Sequence, residues 1–233
     1  MADVAIMIPC LNEADAISQV ISDCQTSMEE ADIYVYDNGS TDDTIMKAIE
    51  AGAIVRLVAD QGKGNVMKRV FEDSDYRCTI IIDGDDTYDV SILRPLYEAI
   101  CHGCSMAVAD RLACDYYRTS QKHSHKAGNY IINLLISCLF HVPVKDTLSG
   151  CRAFSQSFIK TYKPLSQGFT IETELTLQAL IHREPITWIP VHYRPRLTGQ
   201  SKIRTMRDGV HILTMIMHYY LRQRKHYETG QNT

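Results

Sequence analysis

Short apolar runs alternate with helical patterns over the first 110 residues, and this alternation restricts the possible folds more than any other feature. The runs at 4–8, 33–36, 53–58, 79–82 and 106–109 have the length and aliphatic composition of buried strands. A segment with helical spacing separates each run from the next. Strands that alternate with helices predict βαβ crossovers and a mainly parallel sheet with helices on both faces.

Polar side chains follow directly after four of these predicted strands. Ligands of parallel sheets bind beyond the carboxyl ends of the strands, so residues at these positions share one edge of the sheet. The sequence therefore predicts a binding site at that edge. Its members are Asn12 and Glu13, Asp37, Asp83 and Asp85, and Asp110 and Arg111.

The most informative of these strand ends is Asp83-Gly84-Asp85. Two carboxylates this close are unfavourable in a partly dry site unless a cation lies between them. Oxygen ligands favour Mg²⁺ or Mn²⁺, which also bind substrate phosphates. A solvated turn of Asp and Gly is the simpler alternative. At the end of the fourth predicted strand we favour a metal–diphosphate site, in which Gly84 lets the backbone approach the ligand.

Two further turns belong to the same predicted edge. Asp37 is placed to accept a hydrogen bond from a base or a ribose hydroxyl, and Ser40 is predicted to cap the helix that follows. The segment from Pro9 to Glu13 turns the first strand into its helix, which is predicted to begin near Asn12. Both segments are also compatible with plain turns.

The second half of the chain has a different character. No charged residue lies between Lys126 and Lys145, and Ile131 to Phe140 is strongly apolar. That stretch is too short to span a membrane, so it is either an interfacial helix or a core or dimer-interface helix. A helix at 170–181, a strand at 187–193 and an apolar helix at 209–221 with basic flanks are predicted after it.

Charge and composition exclude several classes of protein. The 233 residues carry a formal net charge of −4, which argues against a generally basic nucleic-acid binder. Residues 194–226 hold eight basic residues and one acidic residue, a charge of +7, which leaves −11 for the rest and suggests an anionic partner at this end. Eight scattered cysteines, with a single CxxC at 101–104 and no secretory signal, predict reduced thiols in a cytoplasmic protein.

The ordered set of motifs resembles a known family. Ile8 to Glu13, Asp37 to Asp42, Gly62 to Gly64 and Asp83 to Asp85 are similar in order and spacing to the inverting family 2 glycosyltransferases. The resemblance implies a GT-A fold, a three-layer αβα sandwich with a mainly parallel central sheet. It also implies that a nucleoside-diphosphate sugar is the donor.

Motifs of the second half are similar to those of the polyprenyl-phosphate sugar synthases, which include the dolichol-phosphate mannose and glucose synthases. They include Ala109 to Arg111, His125 to Asn129, Asp146 to Arg152, Gly168 to Glu174, and Tyr193 to Arg196 ahead of Ser201 and Lys202. The chain departs from many relatives at Asn38, where they have a second acid, and from some mannose synthases at Thr87, where they have a metal-binding Gln. Many relatives also end in transmembrane helices, whereas no stretch of this chain is long and apolar enough to span a membrane.

The resemblance implies a role for each group of residues. Those implied in catalysis are Asp85, Arg111, Arg152 and Glu174. Those implied in nucleotide-sugar binding are Pro9, Leu11, Asn12, Glu13, Asp37, Ser40, Lys63, Asp83 and Gly84, with Asp83 and Asp85 on Mg²⁺ or Mn²⁺. Those implied in binding the acceptor phosphate are Lys126, Arg152, Arg196, Ser201 and Lys202.

The chemistry of the acceptor leaves alternatives open. A phosphate monoester has a second pKa of about 6, so it is mostly ionised at neutral pH and attacks without a strong base. A sugar hydroxyl would need a general base, for which Glu172 and Glu174 are the candidates. A nucleotidyltransferase or a non-catalytic nucleotide-sugar-binding protein would also use acids at strand ends.

We therefore expect residues 1–233 to form one domain. About 1–110 would bind the nucleotide sugar, about 111–215 the acceptor, and 216–233 would be a basic tail. A polyprenyl phosphate is the expected acceptor, with peripheral contact at the cytoplasmic face of a membrane, no nucleic-acid partner, and homo-oligomerisation as an option.

Overall fold

The computed structural model describes residues 3–114, 123–195 and 205–228, with side chains at 3–114, 128–195 and 209–223. Strands lie at β1 (Val4–Cys10), β2 (Asp32–Asp37), β3 (Ile54–Leu57), β4 (Cys78–Ile81), β5 (Met106–Asp110), β6 (Arg152–Ser155) and β7 (Ile186–Pro190). Helices lie at α1 (Ile17–Ser27), α2 (Thr44–Glu50), α3 (Lys63–Asp73), α4 (Leu93–Cys101), α5 (His123–Phe140), α6 (Gln156–Thr161), α7 (Ile171–Ile181) and α8 (Thr205–Glu228).

The strands of the described residues form one sheet in the order β3-β2-β1-β4-β6-β5-β7. All neighbouring pairs are parallel except those made by β6, which runs antiparallel to β4 and β5. The predicted mainly parallel sheet is therefore confirmed. β6 was not predicted, because its sequence Arg-Ala-Phe-Ser has neither an apolar run nor a simple alternation.

Each face of the sheet has its own core. Helices α1, α2 and α4 cover one face, where Ile17, Ile21 and Leu96 pack against apolar residues of β1, β2 and β4. Helices α3, α6 and α7 cover the other face, where Val70 and Leu175 pack against the opposite side chains of the same strands. Alternate strand residues thus enter different cores, as the period of a strand requires, and the result is a three-layer αβα arrangement.

A third apolar cluster joins α5 and α8 to α7. Ile132, Ile136, Ile212 and Ile216 are buried in it. The predicted apolar stretch at 131–140 is therefore half core and half surface, since Ile131 and other residues of the same helix are exposed. Within the described residues no helix is both long enough and apolar enough to cross a membrane.

The start of the first helix differs from the prediction. α1 begins at Ile17 and not at Asn12. Asn12 has φ +53, a left-handed conformation that a helix cannot include, although Asn tolerates it better than most residues. The backbone amides of residues 12–14 instead donate to side chains of the 40–44 segment.

Candidate active site

An acidic turn follows β4 at the carboxyl edge of the sheet, where the sequence placed it. The Asp83 carboxylate lies 2.8 Å from the Nζ of Lys63. It also rests against the backbone at Gly150, where a Cβ atom would overlap the Asp83 oxygens. Gly150 therefore leaves the space that this carboxylate occupies, and the 146–150 loop forms one wall of the site.

Lys63 is shared by two carboxylates. Its Nζ is 2.8 Å from Asp83 and 2.7 Å from Glu172, and the three side chains are only 14%, 28% and 10% exposed. Burial alone would lower the pKa of the Lys63 ammonium, but Asp83 and Glu172 raise it well above its usual value. The group is therefore charged at neutral pH. The pairing of Glu172 with Lys63 was not predicted.

Asp85, the second acid of the motif, is oriented by the residue two positions on. Its Oδ1 accepts from the hydroxyl of Thr87 at 2.7 Å and from the Thr87 amide at 3.3 Å. Asp86 has φ +55 and pairs with Arg194 at 3.8 Å, and Arg194 also contacts Asp89. These contacts tie the acidic turn to the strand-end segment that follows β7.

Asp37 has one carboxylate oxygen that is satisfied and one that is not. Its Oδ2 accepts from the amides of Gly39 and Ser40, each at 3.0 Å. Its Oδ1 is buried and has no hydrogen-bond partner within the described part of the chain. A buried carboxylate oxygen without a partner is costly, which makes it a candidate for a ligand donor.

The predicted capping role of Ser40 is wrong. Helix α2 begins at Thr44, and Asp42 accepts from the Thr44 amide at 3.1 Å. The Ser40 hydroxyl instead accepts from the Asn12 amide at 2.8 Å. Asn12 returns a bond, because its Oδ1 accepts from the Thr41 amide at 2.8 Å. The first two strand-end turns are thus joined to each other.

Other predicted nucleotide residues lie close by in the chain. Pro9 is in β1 opposite Tyr36 of β2, and Leu11 follows in the turn. The Glu13 amide donates to the Thr44 hydroxyl at 2.9 Å. Gly84 packs against the thiol of Cys10, where a Cβ would come within 2.6 Å of Sγ.

Asn38 is a functional candidate that sequence reasoning did not assign. Its side-chain amide donates to the carbonyls of Val58 and Asp60, at 3.1 and 2.8 Å. Its Oδ1 accepts from the Gly62 amide at 2.7 Å. These contacts need both a donor and an acceptor, which a second acid at this position would not supply.

Arg111 pairs with Asp146, a buried acid of the 146–150 loop. Both oxygens of Asp146 accept from its guanidinium, at 2.8 and 2.9 Å, and Oδ2 also accepts from the Arg111 amide at 3.1 Å. Asn129 of α5 donates to Asp146 at 3.1 Å. Burial alone would raise the pKa of Asp146, but Arg111 lowers it below its usual value. Asp110 just before is buried and accepts from the Leu112 amide at 3.0 Å.

Arg152 does not lie on the open side of the site. The residue is 2% exposed, and its guanidinium donates to the carbonyls of Ser149, at 2.9 Å, and Thr147 and to the hydroxyl of Thr176, at 2.9 Å. Burial lowers the pKa of Arg152 to about 10, so it remains charged at neutral pH. In this arrangement the Arg152 guanidinium holds the 146–150 loop through the Ser149 and Thr147 carbonyls. Its assignment to catalysis and to the acceptor phosphate stays a prediction.

Glu174 binds the loop that precedes its own helix. It is 1% exposed, and its two oxygens accept from the backbone amides of Leu165 and Ser166, at 2.9 and 2.7 Å. Of the two acids on this helix, it is Glu172 that contacts Lys63.

Four predicted acceptor residues are not described as side chains. Lys126 lies in α5, but its side chain is outside the described residues, as are Arg196, Ser201 and Lys202 entirely. Their assignment to the acceptor phosphate stays a prediction.

The acids present suit a divalent cation that a substrate helps to bind. No group of three or more His, Cys, Asp or Glu side chains that could hold a metal is found among the described residues. Asp83 and Asp85 offer carboxylate oxygens on one turn, and Mg²⁺ is often bound by one or two carboxylates together with substrate phosphates. The donor set therefore fits such an ion.

Comparison with known proteins gives consistent matches. The pattern of glycosyl transferase family 2 matches residues 5–163. Glycosyltransferase AglJ of Haloferax volcanii is 32% identical over 208 residues, which are 88% of this chain and 68% of that protein. A dolichyl-phosphate hexose transferase of the same organism is 26% identical over 222 residues, 95% of this chain and 96% of that protein.

Solved structures share the fold at low identity. Glucosyl-3-phosphoglycerate synthase from Mycobacterium tuberculosis, crystallised with phosphoglyceric acid, superimposes with a TM-score of 0.77 and 19% identity, over 94% of this chain and 80% of that chain. The same synthase crystallised with Mn²⁺, uridine diphosphate and phosphoglyceric acid gives a TM-score of 0.72 and 20% identity, over 95% of this chain and 78% of that chain.

Proposed function

The chain belongs to glycosyl transferase family 2, and from that premise we propose that it transfers a sugar from a nucleoside-diphosphate sugar to a polyprenyl phosphate. Its fold is the predicted GT-A arrangement, and it is a glycosyltransferase. The observation that carries the proposal is the pair Asp83 and Asp85 at the end of β4, with Lys63 2.8 Å from Asp83. Carboxylates and a cation so close together suit a metal–diphosphate group.

The donor is proposed to lie along the strand ends of β1, β2 and β4. The unpartnered Oδ1 of Asp37 would accept a hydrogen bond from the base or the ribose. Asp83 and Asp85 would hold Mg²⁺ or Mn²⁺ on the diphosphate, as the Mn²⁺ and uridine diphosphate of the mycobacterial synthase support. When bound, such an ion acts as a Lewis acid for the departing diphosphate.

The acceptor is proposed to be a phosphate and not a sugar hydroxyl. A phosphate oxygen would form the new bond to C1 of the sugar, the bond from C1 to the donor diphosphate would break, and the nucleoside diphosphate would leave with that electron pair. The configuration at C1 of the sugar would invert. An ionised phosphate needs no base, which agrees with Glu172 being paired with Lys63 at 2.7 Å. The dolichyl-phosphate hexose transferase relative supports this acceptor class.

Cations for the acceptor phosphate are proposed at Lys126, Arg196 and Lys202, with Ser201 as a hydroxyl donor. Arg194, two residues before Arg196 in the sequence, pairs with Asp86 and Asp89, which supports a place for these cations near the acidic turn. Arg111 and Arg152 are proposed to shape the wall of the site through the 146–150 loop.

A lipid acceptor requires contact with a bilayer, and we propose that the exposed face of α5 and α8 makes it at the cytoplasmic side of a membrane. Val210, Leu213 and Met217 are exposed on α8 at a spacing of three and four residues, and Ile131 and Leu134 are exposed on α5. The three α8 residues form an apolar stripe on that helix, and α5, which contacts α8, has exposed apolar residues of its own. Arg222, followed in the sequence by Arg224 and Lys225, ends the stripe with positive charge suited to anionic headgroups.

We expect the protein to sediment with vesicles of phosphatidylcholine that contain about a third phosphatidylserine. The change Leu213→Glu should lower the bound fraction several-fold, because it places a charge in the apolar stripe. Leu57→Glu, which alters a 70% exposed leucine on the edge strand β3, is the matched control. Equal loss in both variants, or dimerisation through this face in light scattering, would contradict membrane docking.

The reaction itself is tested by product release. Purified protein with Mg²⁺ or Mn²⁺ is incubated with a panel of nucleotide sugars, with and without a short polyprenyl phosphate. We expect release of a nucleoside diphosphate that depends on the lipid phosphate. Release that is independent of the lipid would indicate a hydroxyl acceptor, and donor binding without turnover would indicate a binding protein.

A further inference from the structure

We propose that Glu174 is a positioning residue that sets the place of Lys63 through the 162–170 loop. The inference uses the proposed function for the role of Lys63 beside the donor diphosphate, whereas the contacts on which it stands are independent of any reaction. Glu174 is nine and eight residues from the two loop amides that it binds, those of Leu165 and Ser166, and it is far in sequence from Lys63.

Both oxygens of the Glu174 carboxylate are hydrogen-bonded to the loop. The amides of Leu165 and Ser166 donate to the two oxygens of Glu174 at 2.9 and 2.7 Å, in a site where the residue is 1% exposed. A buried carboxylate that accepts two backbone amides is a strong anchor, because hydrogen bonds to charged groups are worth more than neutral ones. Glu174 therefore fixes the backbone at 165–166.

The same loop backbone contacts the turn at Gly62 and Gly64. The Gly64 amide donates to the carbonyl of Gln167 at 3.0 Å. A Cβ atom at Gly62 or Gly64 would overlap the carbonyls of Gln167 and Ser166, respectively, and Gly62 has φ +125. The loop backbone thus lies directly on the turn, and only glycine permits that approach.

Lys63 stands between these two glycines at the start of α3. The loop presses on the turn from one side, and Asn38 accepts from the Gly62 amide at 2.7 Å. The Lys63 ammonium forms ion pairs with Asp83 and with Glu172, and Glu172 lies on the same helix as Glu174. One helix therefore holds Lys63 twice, directly through Glu172 and indirectly through Glu174.

The first test measures Lys63 itself and needs no turnover. Acylation of Lys63 by acetic anhydride is followed by mass spectrometry in the full chain. We expect Glu174→Gln to raise the rate about tenfold, since the NH₂ group that replaces one carboxylate oxygen cannot accept from a loop amide. Glu184→Gln is the matched control, because Glu184 accepts from the hydroxyls of Ser105 and Tyr162 and so touches the start of the loop. Among the described residues it has no hydrogen bond to the 165–167 backbone, so its loss should leave Lys63 labelling unchanged.

The second test asks whether Glu174 acts through Lys63 in the reaction. We expect Glu174→Gln to lower kcat/KM about tenfold, and to lower it less than twofold when Lys63→Ala is already present. A general base or a purely structural residue would give the same factor in both backgrounds, and that result would overturn the proposal. Unchanged Lys63 labelling would overturn it as well.

Two measures keep these tests decisive. Glu174→Asp retains the charge and should recover part of the kcat/KM lost in Glu174→Gln, and it replaces that variant if the latter does not fold. In the unaltered protein, the Gly64 amide should be as protected from hydrogen exchange as the Ser166 amide; rapid exchange at Gly64 alone would overturn the contact. If labelling responds and no donor turns over, the proposed function fails while the positioning role stands.

Discussion

Replacing Asp85 by asparagine is expected to lower turnover by about 10³-fold or more, because several kcal/mol of charge stabilisation on the departing diphosphate would be lost. Asn is nearly the same size, and it keeps an oxygen that can accept from Thr87, as Asp85 does at 2.7 Å. The change thus removes the charge and leaves the local fold. The measurement is the rate of nucleoside-diphosphate release at saturating donor and Mn²⁺.

The next acid of the run supplies the control. Asp86→Asn is the same substitution one residue later, at a position with φ +55 that Asn tolerates. Asp86 pairs with Arg194 at 3.8 Å, and we assign it no metal contact. It should retain turnover within about fivefold, a change of roughly 1 kcal/mol. A variant at Asp85 that loses less than tenfold would remove this residue from the metal site.

Local patterns were sufficient to predict the strand ends. The buried runs and the helical segments between them are signals carried by neighbouring residues, and parallel topology places their carboxyl ends at one edge. Asp37 and Asp83 could therefore be placed beside the site before any contact was known. The unpredicted strand β6 lacks such a signal, because the buried polar Arg152 starts it.

Roles that depend on contacts between residues distant in sequence could not be predicted from local patterns. Lys63 meets Glu172, a residue 109 positions later, and Arg111 meets Asp146, 35 positions later. In a sequence, a basic residue in such a motif suggests phosphate binding. The sequence does not show whether its partner in the fold is a phosphate or a buried carbonyl. Arg152 shows the difference, since its donors go to Ser149, Thr147 and Thr176, and only the fold reveals those contacts.

The buried pair of Arg111 and Asp146 carries the largest expected effect on stability. Asp146→Asn should lower the free energy of unfolding by about 3 kcal/mol at neutral pH, because it leaves the mostly buried guanidinium of Arg111 without its counter-charge. Asp146 itself is 0% exposed, and four donors reach its oxygens, three from Arg111 and one from Asn129. Urea unfolding followed by far-UV circular dichroism measures the change.

The effect should depend on pH in a defined direction. Burial opposes ionisation of Asp146, but the charge of Arg111 outweighs it and lowers the pKa in the folded state. A lowered folded pKa means that the carboxylate stabilises the protein above the unfolded value of about 3.9. That contribution is lost as the pH falls through the folded pKa. The difference between the parent and Asp146→Asn should therefore be full at pH 7 and shrink below about pH 4.

An exposed carboxylate provides the comparison that isolates burial. Asp75 pairs with Lys160 at 3.1 Å, but its side chain is 78% exposed, so water screens the pair. Asp75→Asn should leave the urea midpoint of unfolding unchanged both at pH 7 and below about pH 4. If Asp146→Asn also left it unchanged, the Arg111 pair would not hold the wall of the site. Arg111 would then be available for the catalytic role that the resemblance implied.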